Sequence, residues 1–133
     1  MRIPQEDFEK LVAEAVDNLP PEGRRAMENV AFIVEPEVRP AKAEEMRIKR
    51  GELLLGLYEG VSKAHRGAGY SGVLPDRITI FQRPIEELAG ENPQKLKEMV
   101  FDVVRHEVGH HLGFDEAGIR RHEEKRRTGK KNA

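Results

Sequence analysis

The sequence predicts one small α+β domain built from two long helices and about three strands, and three observations carry the prediction. Two segments repeat apolar residues at the helical period, and three short apolar runs lie between them with proline or glycine nearby. At 133 residues the chain can bury one core but hardly two. A single domain is therefore expected over residues 1–133, with about 120–133 as a frayed basic tail.

The first helix is read from Phe8, Leu11, Val12, Ala15, Val16 and Leu19, which share one helical face between Pro4 and Pro20-Pro21. Residues 30–35, Val-Ala-Phe-Ile-Val-Glu, read as a buried strand stopped by Pro36. Residues 39–50 form a charged connection with room for a short helix. A second strand is expected over 52–58 around Leu53, Leu54, Leu55, Gly56 and Leu57, and a third at Ile78, Thr79, Ile80 and Phe81. Between them the loop 59–76 holds Gly60, Gly67, Gly69 and Gly72. A loop of that length in so small a domain is a candidate wall or lid of a cleft. Residues 84–89 fit one or two helical turns. The last helix takes Asn92 as its N-cap and Pro93 as its first residue, and Gly113 is its expected stop. Its apolar face runs through Leu96, Met99, Val100, Val103, Val104, Val108 and Leu112.

Composition narrows the function classes. The chain has no cysteine, which excludes disulfides and thiolate ligands and fits a reducing cytoplasm, the expected location. No segment resembles a signal peptide, and no apolar run approaches the roughly 18 residues of a membrane span, so no membrane partner is expected. Charged residues make up 35% of the chain, yet the net charge is -1, so no global field draws nucleic acid.

Chemistry is concentrated at His106-Glu107-Val108-Gly109-His110. On a helix, residues four apart lie on one face with Cβ atoms about 5–6 Å apart, close enough for two imidazoles to hold one zinc ion. His106 and His110 are the candidate ligands. They follow Met99 and Val103 at helical spacing, so they are expected to continue the apolar face into the protein. Glu107 stands about 100° round the helix from His106, beside the ion without binding it, where a carboxylate can act as catalytic base.

A catalytic zinc normally takes three protein ligands and leaves one position open. In the longer pattern H-E-x-x-H-x-x-G-x-x-H, a turn at the glycine returns the third ligand from the eleventh position, which is Glu116 here. Asp115 is the alternative third ligand, or else a cap for a following helix, and His122 and Glu123 lie further along. His111 points to a different face from His110 and is expected to pack or to support the site. His65 is expected at the surface. Tyr70 and Arg77 are candidates to assist a developing oxyanion.

Three segments together resemble the small bacterial zincin-like metallopeptidases, or minimal metalloproteases. They are Leu55-Gly56-Leu57-Tyr58-Glu59-Gly60, then Leu74-Pro75-Asp76-Arg77-Ile78-Thr79, and His106-Glu107-Val108-Gly109-His110-His111-Leu112-Gly113. The likeness runs over about residues 53–116. It implies a compact zincin-like domain with a small sheet packed against the H-E-x-x-H helix, a zinc cofactor, His106 and His110 as ligands and Glu107 as catalytic base. Members of that family tend to carry an acid after the glycine, often aspartate at the position matching Glu116. Zincins also commonly pair an extended substrate with an edge strand, and residues 77–82 are the natural candidate here. There Ile78 and Ile80 alternate with Arg77 and Thr79.

The expected function is zinc-dependent hydrolysis of peptide bonds in a peptide or protein substrate. Two alternatives come from other classes. One is a zinc-dependent endoribonuclease, since a related histidine-rich pattern exists and Arg120, Arg121, Lys125, Arg126, Arg127, Lys130 and Lys131 make a basic tail. Against it, Glu107 and Glu116 stand where that pattern has glycine and histidine, and Glu123 and Glu124 interrupt the tail. The other is a non-catalytic module that uses metal to hold a partner peptide.

Overall fold

The computed structural model describes residues 2–49, 53–60 and 76–112. Its elements are, in order, α1 (Gln5–Asp17), α2 (Pro21–Ala26), β1 (Val30–Glu35), α3 (Pro40–Glu45), β2 (Gly56–Glu59), β3 (Asp76–Phe81), α4 (Gln82–Ala89) and α5 (Pro93–His111). The expected α+β class holds, with a three-stranded sheet packed against the H-E-x-x-H helix and an N-terminal helix.

Local signals account for most boundaries. Pro4 precedes α1, and Asn18 ends it, its amide side chain donating to the Glu14 carbonyl at 2.9 Å. Pro20-Pro21, expected only as a stop, also begins α2, because a proline at the first helical position needs no N–H and already has helical φ. β1 spans the expected residues. β2 begins at Gly56, later than expected, although the Leu55 carbonyl still accepts from the Phe81 amide at 3.0 Å. β3 starts at Asp76 and ends at Phe81, and Gln82 already belongs to α4. At the start of α5, the Asn92 side chain accepts from the amides of Gln94 and Lys95 at 3.0 and 3.1 Å, the expected N-cap.

The sheet order is β1-β3-β2, with β1 parallel and β2 antiparallel to β3. Ile78 is level with Phe32 and Tyr58, and Ile80 with Val34 and Gly56. Side chains alternate across a sheet, so these residues share the face that carries the core. Ile78 and Ile80 are fully buried there with Phe8 and Val12 of α1, Ile85 of α4, and Leu96, Val100 and Val104 of α5. The opposite face carries Leu57, Arg77 and Thr79, together with residues of α3.

A polar staple fastens the chain ahead of α1 to α4. Glu86 is buried and accepts from the Ile3 amide at 3.0 Å, from Gln82 Nε2 at 2.9 Å and from Arg83 at 2.8 Å. Gln82 Nε2 also donates to the Ile3 carbonyl at 2.8 Å. Burial pushes the Glu86 carboxyl up, but these donors outweigh it and hold it below the ordinary glutamate range. A carboxylate with a lowered folded pKa stabilises the protein above its unfolded pKa, and the contribution disappears as pH falls through the folded value. Glu86→Gln should therefore cost about 1–3 kcal/mol at neutral pH, and the difference from the parent in denaturant titrations should shrink toward acid pH. A difference independent of pH would contradict this role of Glu86.

Candidate metal centre

The direction of each α5 side chain follows from its helical angle. Val100, Val104, Glu107 and His111 lie along the line of the core, whereas His106 and His110 stand about 80–120° to one side of it. Glu107 is accordingly buried, at 6% exposure, while His106 and His110 are half-buried at the rim. The expectation that the histidines run into the interior is corrected on this point. Their position at the boundary leaves both rings partly exposed.

The three side chains converge. Each of His106, Glu107 and His110 offers one ligand atom, and these atoms lie within 4.8 Å of one another. The two imidazole rings meet edge to face with centroids 5.0 Å apart. Two imidazoles beside a carboxylate, with no thiolate in the chain, form a nitrogen and oxygen donor set that fits a divalent metal such as zinc. Glu116 and Asp115, the candidate third ligands, lie outside the described residues, as do Gly113, His122, Glu123 and the basic tail.

Strand β2 closes one side of this group. A Cβ on Gly56 would stand 2.8 Å from Val103 Cγ1, 3.1 Å from Glu107 Cγ and 3.2 Å from Glu107 Oε2. The β2 backbone therefore runs directly against the Glu107 carboxylate. Any other residue at 56 would have to push the helix or the glutamate away.

The residues expected to bind substrate are placed differently. β3 is the central strand, and residues 77–80 are paired on both sides, so residues 77–82 offer no free edge for an added strand. Ile78 and Ile80 are core residues. Arg77 and Thr79 face away from α5 and line a groove of about 350 Å³ with Leu57, Phe81 and residues of α3. There Glu59 pairs with Lys42 at 2.8 Å and with Arg77 at 2.9 Å. The Lys42 hydrogen bond, and after it Arg77, hold Glu59 below the ordinary carboxylate range against the effect of burial, and the same bond raises Lys42. Arg77 is thus committed to an ion pair on the far face of the sheet. Tyr70, His65 and residues 61–75 of the glycine-rich loop lie outside the described residues.

Buried Asp76 and His111, with half-buried Tyr58, form a polar group next to the site that sequence reasoning did not find. Asp76 lies 35 positions from His111 in the chain, and no spacing rule links them. His111 is packed in the interior, one of the two roles expected of it, with Nε2 3.2 Å from the Ala26 carbonyl.

Comparisons with known proteins bear on the family and the fold. The family model described as zincin-like metallopeptidase matches residues 27–126. A solved structure of a conserved hypothetical protein from Thermus thermophilus superposes with a TM-score of 0.57 at 25% identity, covering 82% of this chain and 94% of that one. No curated protein matches the chain at a significant level. Among the described residues, no helix is long and apolar enough to cross a membrane.

Gly56→Ala tests the close contact. The added methyl overlaps Val103 and crowds Glu107, so the substitution should destabilise the fold by about 1–3 kcal/mol. Gly90→Ala serves as the contrast, since no atom lies within 4 Å of its Cβ position and the cost there is confined to the positive φ of 65°. Chemical denaturation checks both. A stability for Gly56→Ala equal to the parent's would show that the helix and β2 are not in close contact.

Proposed function

The chain belongs to the zincin-like metallopeptidase family, and from that premise we propose that it is a zinc-dependent peptidase with Glu107 as its general base. The observation that carries the proposal is the convergence of His106, Glu107 and His110 on one point at the rim of the core. His106 and His110 would hold zinc, joined by Glu116 or by Asp115 from the segment after the helix. Zinc bound there supplies a Lewis acid that acidifies a water molecule and polarises a peptide carbonyl.

The chain's own residues do the rest. Glu107 sits between the Gly56 backbone and the histidines, so its carboxylate has little freedom to turn away. It takes a proton from the attacking water and passes it to the leaving amine. β2 is an edge strand among the described residues and lies against Glu107. An extended peptide adding to β2 would therefore be laid across the site by main-chain hydrogen bonds, the role first expected of residues 77–82. A peptide or protein substrate fits this arrangement, and a cytoplasmic location fits a chain without cysteine.

Glu107→Gln should retain zinc and fold while peptide hydrolysis falls by about a hundredfold or more, measured on a peptide library with metal content determined in parallel. Equal turnover by the two proteins would remove Glu107 from the chemistry. A parent that binds peptides without cleaving them would support a binding module, and cleavage of structured RNA would support a nuclease.

His106→Ala and His110→Ala should each abolish stoichiometric zinc, because the remaining ligands cannot hold the ion tightly. Competitive chelator titration of Glu116→Ala and Asp115→Ala then identifies the third ligand as the variant that loses zinc. If both keep parental affinity, the third ligand lies outside this turn.

A further inference from the structure

Asp76 opens β3 and is 1% exposed. The Tyr58 hydroxyl donates to its Oδ2 at 2.9 Å, and His111 Nδ1 stands 2.7 Å from the same oxygen. That approach is out of line for a directed hydrogen bond, and the buried Nδ1 packs against the carboxylate with no hydrogen-bond partner among the described residues. The Tyr58 and His111 rings meet edge to face at 5.7 Å. On another side, Gly60 packs its backbone against the Asp76 carboxylate, where a Cβ would collide with it, and its φ of 148° also favours glycine. One carboxylate thus ties the end of β2, the start of β3 and the last turn of α5.

A buried carboxylate is costly unless its partners are held in place, and His111 is one of these partners and directly follows His110. Across the ring, the Ala26 carbonyl holds Nε2. The His111 ring is packed between the Ala26 carbonyl at Nε2 and the Asp76 carboxylate beside Nδ1, which leaves the last turn of α5 little freedom to rotate. We infer that Asp76 is a positioning residue for the metal centre. Through His111 it sets the direction of His110. The inference rests on the metal reading above, and its test separates the two.

The experiment uses the full chain loaded with cobalt(II) or zinc. It compares the parent, Asp76→Asn, Tyr58→Phe and Asn92→Ala. The last removes the N-cap at the far end of α5 and serves as a control for lost stability alone. Zinc affinity is read by chelator competition, ligand geometry by the visible spectrum of bound cobalt, and stability by chemical denaturation. Asp76→Asn should weaken zinc binding by about tenfold or more, within the range seen when a supporting group behind a metal site is removed, and should shift the cobalt spectrum. Asn92→Ala should change neither. Tyr58→Phe loses a single hydroxyl, keeps the fold if Asp76→Asn does not, and should move affinity and spectrum in the same direction by a smaller amount. Parental affinity and spectrum in Tyr58→Phe and in any folded Asp76→Asn would overturn the inference, as would equal loss of affinity in Asn92→Ala. A parent that binds neither metal would overturn the metal reading and this inference with it.

Discussion

Helix α5 approaches strand β2 so closely that the side-chain position at residue 56 must be empty. With a Cβ there only 2.8 Å from Val103 and 3.2 Å from the Glu107 carboxylate, glycine is the residue that fits. The contact fixes the distance between helix and sheet, and it also leaves Glu107 buried while its two histidine neighbours stay at the rim. Once α5 is seated on Ile78, Ile80, Phe8 and Val12, the helical angle decides which of its residues face the core and which stand at its rim. The site is therefore a consequence of how one amphipathic helix is docked.

Two polar anchors act with that apolar seating. Glu86 staples the segment ahead of α1 to α4 through Ile3 and Gln82. Asp76 gathers Tyr58, Gly60 and His111 at the other end of the sheet. Both are buried carboxylates surrounded by donors or buried partners, as a charge removed from water requires. On the outer face of the sheet, Glu59 pairs with both Lys42 and Arg77. That pairing adds little stability; Arg77 lies there because strand alternation turns it to the face opposite Ile78 and Ile80.

Features written in local spacing were legible in the sequence. The Asn92 cap, the full extent of β1, the apolar stripe of α5 and the His106-Glu107-His110 cluster all depend on residues a few positions apart, where helix and strand periods set the geometry. Strand order was not legible. The alternation of Ile78 and Ile80 gives β3 a buried face, but an edge strand and a central strand can share that pattern, and only the pairing of β1 and β2 on either side of β3 decides. The grouping of Tyr58, Asp76 and His111 was hidden for the same reason, since it joins three segments brought together only by the fold. The Pro20-Pro21 pair shows a different gap: proline stops one helix and begins another with equal ease.

The central claim is that α5 holds zinc through His106 and His110. X-ray absorption at the zinc edge of the metal-loaded protein tests it most directly, because imidazole rings give a characteristic outer-shell scattering that carboxylates and water lack. Two imidazoles with nitrogen at about 2.0–2.1 Å, completed by oxygen ligands, are the predicted result. A shell made of oxygen alone, with no imidazole scattering, would contradict it.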